Sequence, residues 1–255
     1  MRKTWVLLLW IIFSFLVKAP LSAAQAPETK CADWERFTFP DFYMENNVWG
    51  KRDIQGYQQC LFKSAEENGA FGWTWDWPSG APDVAAYPEL SFGWKPWNSR
   101  STTSALPLQV RKVKKALITY DITMKADGVF NLSFDAWLTS AATPAEKNIT
   151  AEIMIWLTHQ TLRPDGESSQ SVTINGEAYD FYHGKPPHAG WPYLAFIKKN
   201  DRISGTTDLK QFLDFLVKNK HISNKDYLAS LEFGNEVVVG KGRTEFKTYK
   251  VEVEK

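Results

Sequence analysis

The 255-residue sequence is close to charge balance, with 30 Lys and Arg against 29 Asp and Glu, and is 44% hydrophobic. That balance excludes the concentrated positive charge a nucleic-acid binder needs, while the length allows one domain with a proper core. The 12 Trp and 9 Tyr are unusual, because these flat, apolar faces also stack on sugar rings.

The first segment, residues 1–24, reads as a leader. Arg2 and Lys3 precede the apolar run Trp5 to Val17, and Ser22-Ala23-Ala24 supplies small residues for cleavage before Gln25. The thirteen residues of that run fall short of the roughly 20 needed to cross a bilayer. The expected mature protein is a single domain, residues 25–255, exported to the periplasm or beyond. The two cysteines, Cys31 and Cys60, are then expected to form a disulfide, closing a loop worth roughly 3–4 kcal/mol in the chain-entropy model. No His or Cys lies at ligand spacing around them, so no metal is expected.

Beyond this point the texture is β: short runs of Val, Ile, Thr, Phe and Tyr broken by Gly, Pro, Asn and Asp. Ala116–Met124 and Val129–Thr139 are predicted strands, with a hairpin turn at Lys125-Ala126-Asp127-Gly128. Ser171–His183 holds a second turn at Asn175-Gly176. In residues 206–220, Leu209, Phe212, Leu213 and Leu216 recur at helical spacing, with Thr207 as the expected N-cap. Thr244–Val253 alternates cleanly and is expected to close the sheet. Many short strands and one amphipathic helix predict an all-β, two-sheet sandwich with the helix packed on its outer face.

Side chains alternate across a strand, so each strand carries two separate sets. In Ala151–His159 one set is Ile153, Ile155 and Leu157, a core face. The other is Glu152, Met154, Trp156 and Thr158, a carboxylate beside a thioether and an indole. Residues 130–138 repeat the pattern, with Asn131, Ser133, Asp135 and Trp137 opposite a greasy face. So do residues 229–239, with Ser230, Glu232, Gly234 and Glu236. Acids converging on one face beside aromatic plates suggest glycoside hydrolysis, in which one carboxylate attacks and a protonated partner assists the leaving group.

Five stretches in this order carry a resemblance: Asn46–Gly50, Trp75-x-Trp77 with Asp83–Pro88, Ser133–Asp135, Glu152–Leu157 and Glu232–Glu236. Together they resemble glycoside hydrolase family 12, secreted jelly-roll endoglucanases, some acting on xyloglucan. The resemblance runs from about Cys31 to the C-terminus. It implies a curved substrate cleft, no cofactor and no metal, and hydrolysis of β-1,4-glucan with retention. It also implies Glu152 as nucleophile, Glu236 as acid/base, and Asp135 as a carboxyl hydrogen-bonded to the nucleophile. Asn47, Trp49 and Met154 resemble cleft residues; Trp75, Trp137 and Trp156 complete the candidate substrate contacts, with Trp49 foremost. Glu232 shares strand parity with Glu236 and is its rival.

The partner expected is a β-glucan polysaccharide, with no nucleic acid, no membrane after removal of the leader, and a monomeric chain. Two other readings compete: a non-catalytic carbohydrate-binding sandwich and a related jelly-roll xylanase. Val237-Val238-Val239, Gly184–His188 and Trp94–Trp97 match no familiar pattern and leave subsite preference open. His159, His183, His188 and His221 give no metal spacing. Asn131 and Asn148 head glycosylation tripeptides.

Overall fold

The computed structural model describes residues 26–66, 68–186 and 189–255, so the leader and His188 lie outside the described residues. The strands in chain order are β1 (Glu28–Lys30), β2 (Arg36–Thr38), β3 (Phe42–Glu45), β4 (Gln58–Lys63) and β5 (Phe71–Trp77). Next come β6 (Glu89–Gly93), β7 (Leu108–Gln109), β8 (Lys115–Thr139), β9 (Ile149–Gln160), β10 (Glu167–Ile174) and β11 (Glu177–Gly184). Then follow β12 (Tyr193–Lys198), β13 (Gly205–Asp208), helix α1 (Leu209–Lys218), β14 (Tyr227–Gly234) and β15 (Val237–Glu254).

Two long strands organise the rest. The C-terminal half of β8 lies between β14 and β9, and the layer continues outward through β6, β3 and β2 on one side. On the other side β12 pairs with β9 in parallel, and β11 and β10 follow. The N-terminal half of β8 pairs with β15 and β13, and β15 leads through β5 and β4 to β1. The chain is thus an all-β two-layer sandwich, as expected, whose layers are continuous through β8 and β15.

Burial along β8 records the change of layer. From Ala116 to Ile122 buried residues alternate with partly or fully exposed ones, the signature of a half-solvated sheet. From Phe130 to Thr139 every residue is buried, so both faces are covered. Between the layers, Phe134 and Phe233 stack at 4.0 Å and meet Tyr120 edge-on at 5.4 and 5.3 Å.

The hairpin expected at Lys125–Gly128 is absent. Residues 115–139 form one strand, because β15 pairs with both of its halves. Gly128 and Gly240 face each other in the register, both with positive φ, and a Cβ on either would lie 2.1 Å from the backbone oxygen of Val239 or Asp127. Here glycine marks a bend in paired strands instead of a chain reversal. Thr244–Val253 is the second half of β15: as far as Phe246 it lies between β5 and β8, and from Thr248 it pairs with β8 alone and ends the layer there, as expected.

The turn at Asn175-Gly176 is present, with φ of 52° and 77° joining β10 to β11. Helix α1 buries Leu209, Phe212, Leu213 and Leu216 against β11 and β12, Phe212 meeting Tyr179 and Phe196. Its N-cap is Asp208, whose Oδ1 accepts from the Lys210 amide at 3.1 Å, one residue later than the expected Thr207. Thr207 is still in β13 and hydrogen-bonds Tyr120. Cys31 and Cys60 form the disulfide, pinning the N-terminal segment to β4.

Candidate active site

Register places the acid-bearing faces of three strands side by side. One row across the first layer runs Tyr193, Glu152, Trp137, Ser230, Gly93. The next runs Ala195, Met154, Asp135, Glu232, Ser91, Tyr43, and a third Ile197, Trp156, Ser133, Gly234, Glu89, Glu45. These rows face away from the main core. Ile153, Ile155 and Leu157 belong to that core, whereas Met154 and Trp156 form a separate cluster with Tyr193, Ala195 and Ile197. The parity read from sequence therefore holds for Glu152, Met154 and Trp156, for Ser133, Asp135 and Trp137, and for Ser230, Glu232 and Gly234, whereas Thr158 falls opposite core Leu132 past a register shift and Glu236 lies beyond β14.

Solvent access sorts the acids of this face. Asp135 and Glu232 are buried, whereas Glu152 and Glu236 are both partly exposed. Glu236 follows the end of β14, where the chain turns from one layer into the other. Its backbone pairs with that of Asn131, and the Asn131 side-chain amide donates to Glu236 Oε2 while its Oδ1 accepts from the Glu236 amide at 3.0 Å. Asn235, just before it, is tied to Trp73 and Thr244 at 2.8 and 2.7 Å. The polar Asn131 and Asn235 thus fix an acid at a corner that β pairing alone would leave loose.

Glu152 accepts a hydrogen bond at Oε2 from the indole Nε1 of Trp191 at 2.9 Å, and its backbone amide donates to the Pro192 carbonyl. No hydrogen bond joins Asp135 to Glu152; Asp135 stands opposite Met154, and its Oδ1 is buried without a partner. The two carboxyls interact through charge. Burial, then the charges of Glu152 and Glu232, push Asp135 well above the usual carboxylate range. Burial raises Glu152 to about 7 against the opposing hydrogen bond from Trp191. Burial and the charge of Glu152 raise Glu236 to about 8, opposed by Asn131. Burial also raises Glu232 to about 8, chiefly opposed by Lys95. Glu152 thus perturbs Glu236, while the neighbours that shift Glu232 are Lys95, Glu89, Ser230 and Ser91.

The expected substrate contacts divide. Trp49 is 56% exposed, and its backbone amide donates to Asn47 Oδ1 at 3.0 Å. Asn47 is buried and donates to Glu89 Oε1 at 2.8 Å, so it holds the Trp49 loop from below. Met154, in the row next to Glu152, accepts from the Tyr193 hydroxyl at 3.3 Å. Trp137 is in the row of Glu152 and Trp156 in the cluster behind it. Trp75 stands in the main core, edge-on to Phe130 and with its ring over Gly242, where it packs instead of offering an open plate. Among the described residues no group of His, Cys, Asp and Glu could hold a metal ion.

A family model described as "Glycosyl hydrolase family 12" matches residues 40–254. The chain belongs to that family. Endoglucanase S of Pectobacterium parmentieri is 31% identical to it over 258 residues, covering 99% of this chain and 97% of that protein. A xyloglucan-specific endo-beta-1,4-glucanase A of Emericella nidulans is 26% identical, covering 84% of this chain and 86% of that one. Among solved structures, a family 12 xyloglucanase from Bacillus licheniformis superposes with a TM-score of 0.82 at 26% identity, covering 89% of this chain and all of that one.

In this family 12 chain, several side chains around the rows went unread in the sequence. Lys95 reaches Glu89 Oε1 at 2.6 Å, a pair with the carboxylate fully buried. Trp97, 48% exposed, meets Trp137 edge-on at 4.8 Å, and Trp191 meets Trp137 at 5.4 Å. All three come from the segments Trp94–Trp97 and Gly190–Tyr193, whose local sequence has no periodicity to give them a face. Asn131 was legible: it shares strand parity with Asp135, a signal hidden by its place in a glycosylation tripeptide.

Proposed function

We propose that the protein is an exported, retaining endo-β-1,4-glucanase acting on cellulose-like, mixed-linkage or xyloglucan chains. The observation that carries the reading is a pair of partly open acids, Glu152 and Glu236, in which burial and the charge of Glu152 raise Glu236 to about 8 while Asn131 holds its carboxylate in place. Family membership, and relatives named as endoglucanase and xyloglucan-specific glucanase, support it. So does the disulfide, which fits an oxidising compartment. Among the described residues no helix is long and apolar enough to cross a membrane.

The mechanism follows from the charge of Glu152 acting on Glu236: an ionised Glu152 favours the protonated form of Glu236. The Glu152 carboxylate attacks the anomeric carbon, the bond to the leaving oxygen breaks, and Glu236 gives that oxygen its proton. Bonded to the sugar, Glu152 has lost its charge, which removes the main neighbouring charge holding Glu236 up. Glu236 then sits lower and, ionised, takes a proton from the water that displaces Glu152. Two inversions at one carbon give net retention. Burial and the charges of Glu152 and Glu232 favour the protonated form of Asp135, which disfavours a second negative charge beside the nucleophile. Trp49, exposed above Asn47, offers the apolar face of a glucosyl unit a plate at the surface.

Glu152→Gln is expected to lose roughly four orders of magnitude in turnover on soluble β-1,4-glucan, with the polysaccharide still bound. Reducing-end release by wild type on β-glucan, xyloglucan and xylan, with NMR of the first-formed anomer, completes the test. Undiminished turnover in the glutamine variant, or release from xylan alone, would sink the assignment.

A further inference from the structure

Among the described residues, the hydrogen bond on the Glu152 side chain comes from Trp191 at 2.9 Å. The indole is not free to swing. Trp137 meets it nearly perpendicular at 5.4 Å, Trp97 stands at 6.3 Å, and Trp97 and Trp137 brace each other at 4.8 Å. The next residue, Pro192, accepts the backbone N–H of Glu152 at 3.0 Å, so acid and donor are registered through main chain as well as side chain. Asp135, the other candidate for this role, makes no hydrogen bond to Glu152 and leaves Oδ1 unpartnered.

We propose that Trp191 is the positioning residue of Glu152, its indole N–H holding the attacking carboxylate while Trp137 and Trp97 hold the indole. The inference rests on the reading of Glu152 as nucleophile. An N–H can donate to a carboxylate and cannot take its proton, so this donor favours the charged, attacking form. The groups acting on Glu152 agree. Burial and Asp165, on the segment after β9, raise its pKa; Trp191 and Lys95, on the segment after β6, lower it. Asp135 of β8 and Glu236 at the corner are the other acids coupled to it, and Tyr193 of β12 stands beside it in the row.

Trp191→Phe keeps a ring against Trp137 and removes the donor alone. The acidic limb of kcat/KM, which reports the free-enzyme nucleophile, is expected to move about one unit to higher pH, as the loss of one charge-assisted hydrogen bond requires. On a soluble β-1,4-glucan kcat at the wild-type optimum is expected to fall roughly tenfold or more, with KM changed less than threefold. An unshifted acidic limb in a variant that melts like wild type would reduce Trp191 to a packing residue and overturn the proposal. Should Trp191→Phe melt early, benzothienylalanine at position 191, with sulfur in place of N–H, carries the same test. A 13C titration of labelled glutamate, assigned with Glu152→Gln, reads the same shift without turnover. A turnover-competent Glu152→Gln would sink the nucleophile reading itself, and is a different result from an unmoved limb.

Discussion

Lys95 is a cation set deep among acids. Its ammonium lies 2.6 Å from Glu89, its side chain is 14% exposed, and Glu89 has no exposure at all. Glu89 also accepts from Asn47, which accepts from the Trp49 amide, so one buried ion pair underpins the exposed plate. The charge of Lys95 also lowers the pKa of Asp135, Glu152 and Glu232. Removing one partner of a buried pair leaves the other charge without compensation. Lys95→Met is therefore expected to cost about 3–5 kcal/mol in urea unfolding, and Glu89→Gln combined with it to recover much of that loss. Equal stability in Lys95→Met and wild type would show the pair to be idle. At this scale the sequence was legible where strand parity applies, and Glu152, Asp135, Trp137 and Met154 stand on the face expected. It was illegible where partners come from irregular segments: nothing in residues 94–97 or 190–192 says that Lys95 meets Glu89 or that Trp191 meets Glu152. Burial was legible only as a ranking: Trp49 stood foremost among the expected plates, and of Trp49 and Trp75 it is the one open to solvent.

At the scale of elements, the informative difference lies at residues 125–128. Lys-Ala-Asp-Gly between two apolar runs has the composition of a turn, yet the chain runs straight through as β8. The deciding information is far along the chain, where Gly240 faces Gly128: β15 pairs with β8 on both sides of Gly128, and a continuous partner outweighs a local turn preference. The glycine signal was real and its meaning different, because a bend between paired strands and a chain reversal both need positive φ. Gly128→Ala places a methyl 2.1 Å from the Val239 carbonyl oxygen at φ of +132°. The expected cost is about 3–4 kcal/mol, from backbone strain plus displacement of β15. Because the same bend carries β8 and its partners from one layer to the other close to Glu236, activity should fall alongside stability. A variant as stable as wild type would mean that the bend is held elsewhere. The helix gives the opposite lesson. Its four apolar residues were readable because amphipathic spacing is local, and only its cap slipped by one residue, to Asp208, because Thr207 is held in β13 by Tyr120.

Across the whole molecule, the cleft face sets the response to pH. Burial pushes Glu152 up to about 7 and Glu232 and Glu236 up to about 8, and raises Asp135 well above its ordinary range. Each holds its proton in the folded protein over a range where the unfolded chain has already lost it. The native state then binds more protons, so by linkage stability falls as pH rises. The contribution is complete below the ordinary carboxylate pKa and is lost as pH climbs through about 7 to 8. Asp33, Asp180 and Glu252 shift the other way, Glu252 to about 2 through Lys115 and Lys250. Their contribution is present above the ordinary pKa and lost on acidification. The two trends leave a maximum near pH 5, below the range in which Glu152 is ionised, so the fold is expected to be most stable where the enzyme is least active. Glu232 separates the two effects, since it is buried and proposed to take no proton in the reaction. Glu232→Gln cannot ionise, and unfolding in denaturant is expected to show a decline from pH 5 to pH 9 that is shallower by about 2–4 kcal/mol. Parallel curves for the variant and wild type would place the alkaline loss outside this face.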